Sequence, residues 1–597
     1  MTEHLNLRPH SIVREERADG SILLRSGYDL GPVAATTSDW VQHWAVATPN
    51  RTFLAERSGA GWRTISYGET WQRLRAIAAG LLEMDLGPEA PLMILSGNSI
   101  DHGLVSLAAH HVGIPTVPVA EQYALIPEAH SRLQYVDNLV SPGAVFAADP
   151  EPYGSAIALL GRPAISSGGG GGTTALDDLT GAADVEAAHA GVGPDTTAKI
   201  LMTSGSTSDP KGVVTTQRMM TVNQAQIAAC MPFLGTRPPV LIDWLPWNHT
   251  FGGSHNFNMV LANGGTLYID DGKPLPHLFP RTLENLRLVS GTISFNVPVG
   301  FSQLVNALRE DRALRRAYFA KLDMIFYAGS SLPQNTWAAL EDLAMQELGR
   351  LPLITTSWGL TETAPAAITQ YTPAKGAGII GVPLPGVMVK LTDEGEGRYA
   401  ASVKGENVFP AYHRNPGKTA AAFDAEGYFV TGDAMSFVDA TDMSQGLRFE
   451  GRLSENFKLT NGTWVQAASL RLELLSLLAP LAQDVVICGA GRDALAILIV
   501  PNLAAFDVAE MALDLANPLA VSQRAFTALA KRLQPAAAVA RGSAKRITKC
   551  AILSYPPSLA LGEVTAKGNI NYSKLLEARA VLVDRLYSDD PAVLNLS

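Results

Sequence analysis

Thr203-Ser204-Gly205-Ser206-Thr207-Ser208-Asp209-Pro210-Lys211-Gly212 places five hydroxyl side chains, two glycines and one lysine in ten residues. Glycine permits unusual backbone angles and close approach, hydroxyls and backbone N–H groups line an anion, and lysine supplies charge, so the stretch reads as a phosphate-gripping loop. An ordinary Ser/Thr/Gly turn is the alternative, and the hydroxyl density with the Pro-Lys-Gly ending argues against it. It is not a Walker A loop: Lys211 follows Pro210 and precedes Gly212, where that motif needs glycine before and Ser or Thr after.

Outward from this loop the chain alternates strand and helix patterns. In 67–86 the apolar residues Trp71, Leu74, Ile77, Leu81 and Leu82 recur at helical spacing, and Ser66 with Glu69 has the form of a capping box. Residues 91–96, 104–112 and 113–119 read as strand, crossover helix and strand, the unit of a parallel sheet. Strand patterns at 240–244 and 322–327 and a helical one at 301–308 continue the theme, which predicts an α/β fold with a large, layered N-terminal domain rich in parallel sheet. The five glycines 168–172 predict a mobile surface loop; no helix cap and lysine follow them to make a phosphate cradle. Beyond Gly451-Arg452 the texture changes to a helix pattern at 469–478 and strand patterns at 484–488 and 495–500. The expected division is therefore a large domain over 1–452 and a small, mobile α+β domain over 453–597, with no internal repeat.

Composition narrows the class. In 597 residues, 47% are hydrophobic and 17% charged, enough to bury several cores. Lys+Arg 46 against Asp+Glu 56 gives a net charge of -10, which argues against a nucleic-acid partner but permits small anions at local positive sites. Cys230, Cys488 and Cys550 lie far apart without metal-ligand spacing, so neither a disulfide framework nor a zinc site is expected. The charged N-terminus does not read as a secretory signal, and no window reaches the length of a membrane span. A cytoplasmic enzyme of undetermined oligomeric state is the expectation.

Four further segments join the loop in order: Tyr327-Ala328-Gly329-Ser330-Ser331, Trp358-Gly359-Leu360-Thr361-Glu362, residues 428–433 (YFVTGD), and Gly451-Arg452. Together they resemble the adenylate-forming superfamily of acyl-CoA synthetases, luciferases and adenylation domains over nearly the whole chain. The resemblance implies that Thr203, Ser204, Gly205, Ser206, Thr207 and Lys211 grip phosphate. It also implies that Gly329, Ser330, Ser331 and Gly359 border the nucleotide, and that Trp358 stacks on its base. Glu362 would hold Mg²⁺ against ATP phosphates with Thr361 on the α-phosphate, Asp433 would accept from the ribose hydroxyls, and Arg452 would add donors nearby. In the small lobe Lys567, within Thr565-Ala566-Lys567-Gly568-Asn569, matches the lysine that stabilises charge on the α-phosphate, although Ala566 departs from the usual pattern.

The same resemblance implies that His249 orients the acid's carboxylate or gates the thiol path, whereas His110 and His111, on an apolar helix, read as packing residues. Ser454 would be the pivot, where the family has Asp or Lys, and Lys458 and Gly462 would line the pantetheine tunnel. The wording of 458–465, 18–26 and 51–57 is most like the feruloyl-CoA synthetase branch. That implies an aromatic, hydroxycinnamate-like acid in a slot of His249, Phe251, 296–298, Tyr327 and Trp358, with ATP, Mg²⁺ and CoA as co-reactants. Two other readings stay open: a synthetase for another aromatic or medium-chain acid, and a catalytically silent adenylate-binding protein.

Overall fold

The computed structural model describes residues 5–203, 210–509, 511, 513–514, 519–540, 542–558, 561–564 and 570–596. The expected capping box forms: Glu69 N donates to Ser66 Oγ at 3.2 Å and Ser66 N to Glu69 Oε2 at 2.8 Å. The helix it starts, Tyr67–Leu82, stops four residues before the apolar pattern does, because the chain turns over with Asp85 at φ 52° ahead of Gly87 and Pro88. Strands Leu92–Ile94 and Thr116–Pro118 pair in parallel across helix Ile100–His111, as the crossover reading requires.

Among the described residues three sheets of seven, four and eleven strands build the large lobe. Parallel pairing dominates the seven-stranded sheet. In the eleven-stranded sheet it is confined to one end, Ile293–Asn296, Met324–Tyr327 and Leu353–Gly359, and the remaining strands pair antiparallel. One buried cluster runs through all three sheets, including Phe53, Phe146, Leu241, Phe326 and Val389. The five-glycine stretch is a mostly exposed turn between Ala164–Ser166 and Thr174–Ala175, with Gly169 to Gly172 all at positive φ. His110 and His111 are buried on their helix, bonded to Thr116 Oγ1 and Ser38 Oγ, both at 3.0 Å, as packing residues.

The smaller C-terminal lobe has its own core. Its strands Ala482–Cys488, Leu495–Pro501, Ile547–Ile552 and Leu594–Asn595 form a four-stranded sheet. Helices Ala467–Leu478 and Gln523–Val539 share one buried cluster with it, and Tyr572–Ala578 and Ala580–Leu586 another. All three cysteines are buried and unpaired. Among the described residues no helix is long and apolar enough to cross a membrane.

Glu563 is fully buried in this lobe and takes a two-pronged ion pair from Arg579, at 2.7 and 2.8 Å. Next to it Val564 bridges to Ile570, and Lys567 lies outside the described residues. Removing one partner of a buried pair leaves an uncompensated charge, so Arg579→Ala should destabilise the small lobe by about 3 kcal/mol. A denaturant titration followed by a small-lobe probe checks this; an unchanged midpoint would contradict it.

Candidate active site

The phosphate-loop stretch closes a β-hairpin. Strand Thr197–Thr203 pairs antiparallel with Lys211–Thr216, with Thr203 opposite Lys211. A Walker loop runs from strand to helix, so the strand–loop–strand connection bears out its exclusion. Ser204, Gly205, Ser206 and Thr207 lie outside the described residues. The returning strand is held to residues 411–413: Val214 N donates to Ala411 O at 3.2 Å and His413 N to Gly212 O at 2.7 Å.

That anchorage sets Lys211 against Tyr412, its Nζ 4.6 Å from the ring centroid. Tyr412 Oη in turn donates to Glu362 Oε1 at 2.9 Å. Burial lowers the Lys211 ammonium from its ordinary value, and the Glu362 charge opposes that shift. Burial, reinforced by Glu362, keeps the Tyr412 phenol protonated. Thr361 and Glu362 are buried in the short turn Thr361–Thr363 that follows strand Leu353–Gly359. Glycine is required at 359: a Cβ there would lie 1.7 Å from Pro365 O.

A second group sits on the adjoining strands. Asp433 lies opposite Arg452 in the sheet, and its Oδ1 is 3.4 Å from Arg452 Nε. Trp358 Nε1 donates to Asp433 Oδ2 at 2.9 Å. Oδ1 is buried and accepts no hydrogen bond among the described residues. Burial lifts Asp433 to about 6, against the opposing effects of Arg452 and the Trp358 N–H. The Trp358 indole is buried, and its N–H holds this carboxylate. Gly329 and Ser330 are exposed at the end of strand Met324–Tyr327 with Ser331 half-buried, and Gly329 stands at φ 91°, a conformation that disfavours any side chain there.

Glu362 is the carboxylate that Tyr412 links to Lys211. No group of three or more His, Cys, Asp or Glu able to hold a metal occurs among the described residues. One oxygen of Glu362 is held by Tyr412 and the other makes no hydrogen bond among the described residues. A lone carboxylate suits Mg²⁺, which keeps its waters and takes its remaining ligands from substrate phosphates.

On the acid side, His249 is half-buried and its Nδ1 accepts from Phe251 N at 3.2 Å, at the entrance to the π-helix Phe251–Asn256. Phe251 packs against Phe295 and Phe326, each 5.9 Å between ring centroids. Tyr327 was expected in this slot. Strand alternation turns its ring to the opposite face, against Trp337, and Phe326 takes the place instead. Lys458 and Gly462 sit on a small-lobe hairpin, with Lys458 over the Trp464 ring at 4.8 Å and Gly462 at φ 81° in the turn. Lys567 lies outside the described residues. Tyr412, Phe295 and Phe326 were missed by sequence reasoning. Period-two alternation could have found Phe326, but no local pattern marks Tyr412.

The family model for AMP-binding enzymes matches residues 41–412, and the chain belongs to that family. It is 26% identical over 499 residues to the carboxylic acid reductase of Mycobacterium marinum, covering 75% of this chain and 40% of that protein. It is 26% identical over 496 residues to a long-chain-fatty-acid–CoA ligase of Mycobacterium bovis, covering 75% of this chain and 78% of that one. The fold is that of the anthranilate CoA ligase AuaEII with anthranoyl-AMP, at TM-score 0.69 and 17% identity over 93% of this chain and 99% of that one. The A domain of the Segniliparus rugosus carboxylic acid reductase also gives 0.69 at 17% identity, over 93% and 94% of the two chains.

The raised Asp433 carries a linkage. Its folded value lies above the ordinary 3.8, so its contribution to stability is fully present below that value and is lost as pH rises through about 6. Asp433→Asn should therefore raise the melting temperature of the ligand-free protein at pH 8 and weaken AMP binding at least tenfold, about the worth of a charge-assisted hydrogen bond. Wild-type AMP affinity should fall as pH drops below about 6. Calorimetry and a thermal melt read these; tight AMP binding by the variant would remove Asp433 from the ribose site.

Proposed function

We propose that the chain is an ATP-dependent acid–thiol ligase. It adenylates a hydroxycinnamate-like aromatic carboxylate, releases pyrophosphate, and passes the acyl group to CoA with loss of AMP. The observation that carries this reading is the convergence of two pairs of charges on neighbouring elements: Lys211 with Glu362 through Tyr412, and Asp433 with Arg452 beside Trp358. The first suits a polyphosphate with its metal, and the second a ribose. The related fatty-acid–CoA ligase and the anthranilate CoA ligase favour a thiol acceptor, and the latter an aromatic acid.

In this reading Asp433 Oδ1 accepts from the ribose, and Lys211 with the loop 203–207 grips the outer phosphates. Thr361 donates to the α-phosphate. Mg²⁺, held by Glu362 and phosphate oxygens, would neutralise charge on the leaving pyrophosphate. The carboxylate enters beside His249, with its ring toward Phe251, Phe295 and Phe326. It attacks the α-phosphorus, and Lys567 offsets the charge that builds there. The thiol then attacks the acyl carbon and AMP departs. A single cavity serves both steps, so the small domain, 453–597, turns about Ser454 in the short turn Leu453–Glu455. That rotation withdraws Lys567 and brings Lys458 and Gly462 to the pantetheine path.

Purified protein with MgATP, CoA and a panel of ferulate, benzoate and octanoate should release AMP and pyrophosphate with one aromatic acid preferred. No pyrophosphate with any acid would refute the proposal. Lys567→Ala should cut adenylate formation at least a hundredfold yet spare thioester formation from preformed acyl-adenylate; equal loss of both steps would refute the two-position assignment.

A further inference from the structure

The strand that enters the 203–212 stretch carries a buried ammonium with no counter-charge. Lys199, on strand Thr197–Thr203, is 8% exposed, and its Nζ donates to Gly253 O of the π-helix at 2.6 Å. Among the described residues no carboxylate pairs with it, and the Gly253 carbonyl is the one acceptor it meets. Burial lowers Lys199 only to about 8, so near neutral pH it keeps its charge. An ammonium has three N–H groups, which leaves two here without an acceptor among the described residues. Holding such a charge away from water is costly unless an anion accompanies it.

Space for that anion adjoins the lysine. Lys199, Asn258, His102, His110, Trp247 and Phe257 line a cavity in which the centre of a water-sized body has about 20 Å³ to occupy, room for one such body. Asn258, on helix Phe257–Ala262, is 2% exposed, and its Nδ2 is buried with no hydrogen-bond partner among the described residues. A buried N–H left unpaired needs an acceptor as the ammonium does. The two imidazoles add no charge: burial, with the Lys199 charge acting the same way, lowers His102 to about 4 and His110 well below its ordinary value, so both are neutral at pH 7. The cavity thus offers donors and one positive charge. A water would satisfy the donors and leave the charge unbalanced, and sulfate, phosphate or a carboxylate is larger than the space. A monatomic halide meets both demands.

We infer that the cavity bordered by helix Ile100–His111, strand Thr197–Thr203 and helix Phe257–Ala262 binds one halide ion of chloride size, with Lys199 Nζ and Asn258 Nδ2 as its donors. The bound ion ties the strand that runs on to Thr203 to the segment that carries Gly253 and Asn258. His249 belongs to the same segment, its carbonyl accepting from Gly253 N at 2.8 Å. The inference depends neither on the identity of the acid nor on the ligase reading.

The test is a set of thermal melts of the full chain at pH 7 in sodium chloride, sodium bromide and sodium gluconate at one ionic strength, gluconate being too large for the cavity. Wild type should melt higher in either halide than in gluconate, by about 2 °C or more. Lys199→Met, an uncharged side chain of similar length, and Asn258→Leu should each lose most of that difference. Crystals grown in bromide should show one anomalous peak within hydrogen-bond reach of Lys199 Nζ. Equal wild-type melts in halide and gluconate, a halide difference undiminished in both variants, or a cavity peak without anomalous signal, which means water alone, overturns the inference. Should Lys199→Met fail to fold, Asn258→Leu and the bromide crystals decide it.

Discussion

The site depends on one buried carboxylate. Asp433 is taken out of water by the strands around it, and the cost is offset by the Trp358 N–H on one oxygen and the Arg452 guanidinium near the other. Those three residues come from three strands of one sheet, so fixing the carboxylate also fixes their spacing. Strand Leu353–Gly359 leads from Trp358 straight into the turn that bears Thr361 and Glu362. Arg452 is the last residue of the large lobe's final strand, one position before the Leu453–Glu455 turn. The buried carboxylate, the acidic turn and the entry to the small lobe are thereby held in common register.

The strand that begins at Lys211 is joined to that register through Tyr412. The hairpin carrying Lys211 belongs to the seven-stranded sheet and the turn carrying Glu362 to the eleven-stranded one. Tyr412 spans the gap, packing against the ammonium with its ring face and donating to the carboxylate with its hydroxyl. A direct pair would draw lysine and glutamate together and neutralise both. An aromatic spacer keeps the two charges apart.

Much of this was readable in the sequence because short-range rules governed it. The Ser66–Glu69 cap, the crossover unit at 92–118 and the positive-φ turn in the glycine run follow from local chemistry. The motif residues were found because each motif is contiguous. Relations between motifs were not legible. Nothing near Trp358 signals that its N–H points at Asp433, 75 positions on, and nothing near Tyr412 marks it as the bridge to Glu362, 50 positions back. The Tyr327 ring lies elsewhere because successive strand side chains alternate faces, which sets it against Trp337 while Phe326 faces Phe251. A large domain rich in parallel sheet was expected, and strands 293–296, 324–327 and 353–359 pair so, but the long antiparallel remainder of that sheet carries no such signature.

The three cysteines have a practical consequence. Burial pushes each thiol up to about 12, so almost no thiolate is present at neutral pH, and none is at the surface. The native fold is therefore nearly inert toward maleimides. One exposed cysteine engineered into each lobe could carry a fluorophore pair without stripping the natural residues, which makes the chain a ready subject for asking, one molecule at a time, whether the lobes turn about residue 454.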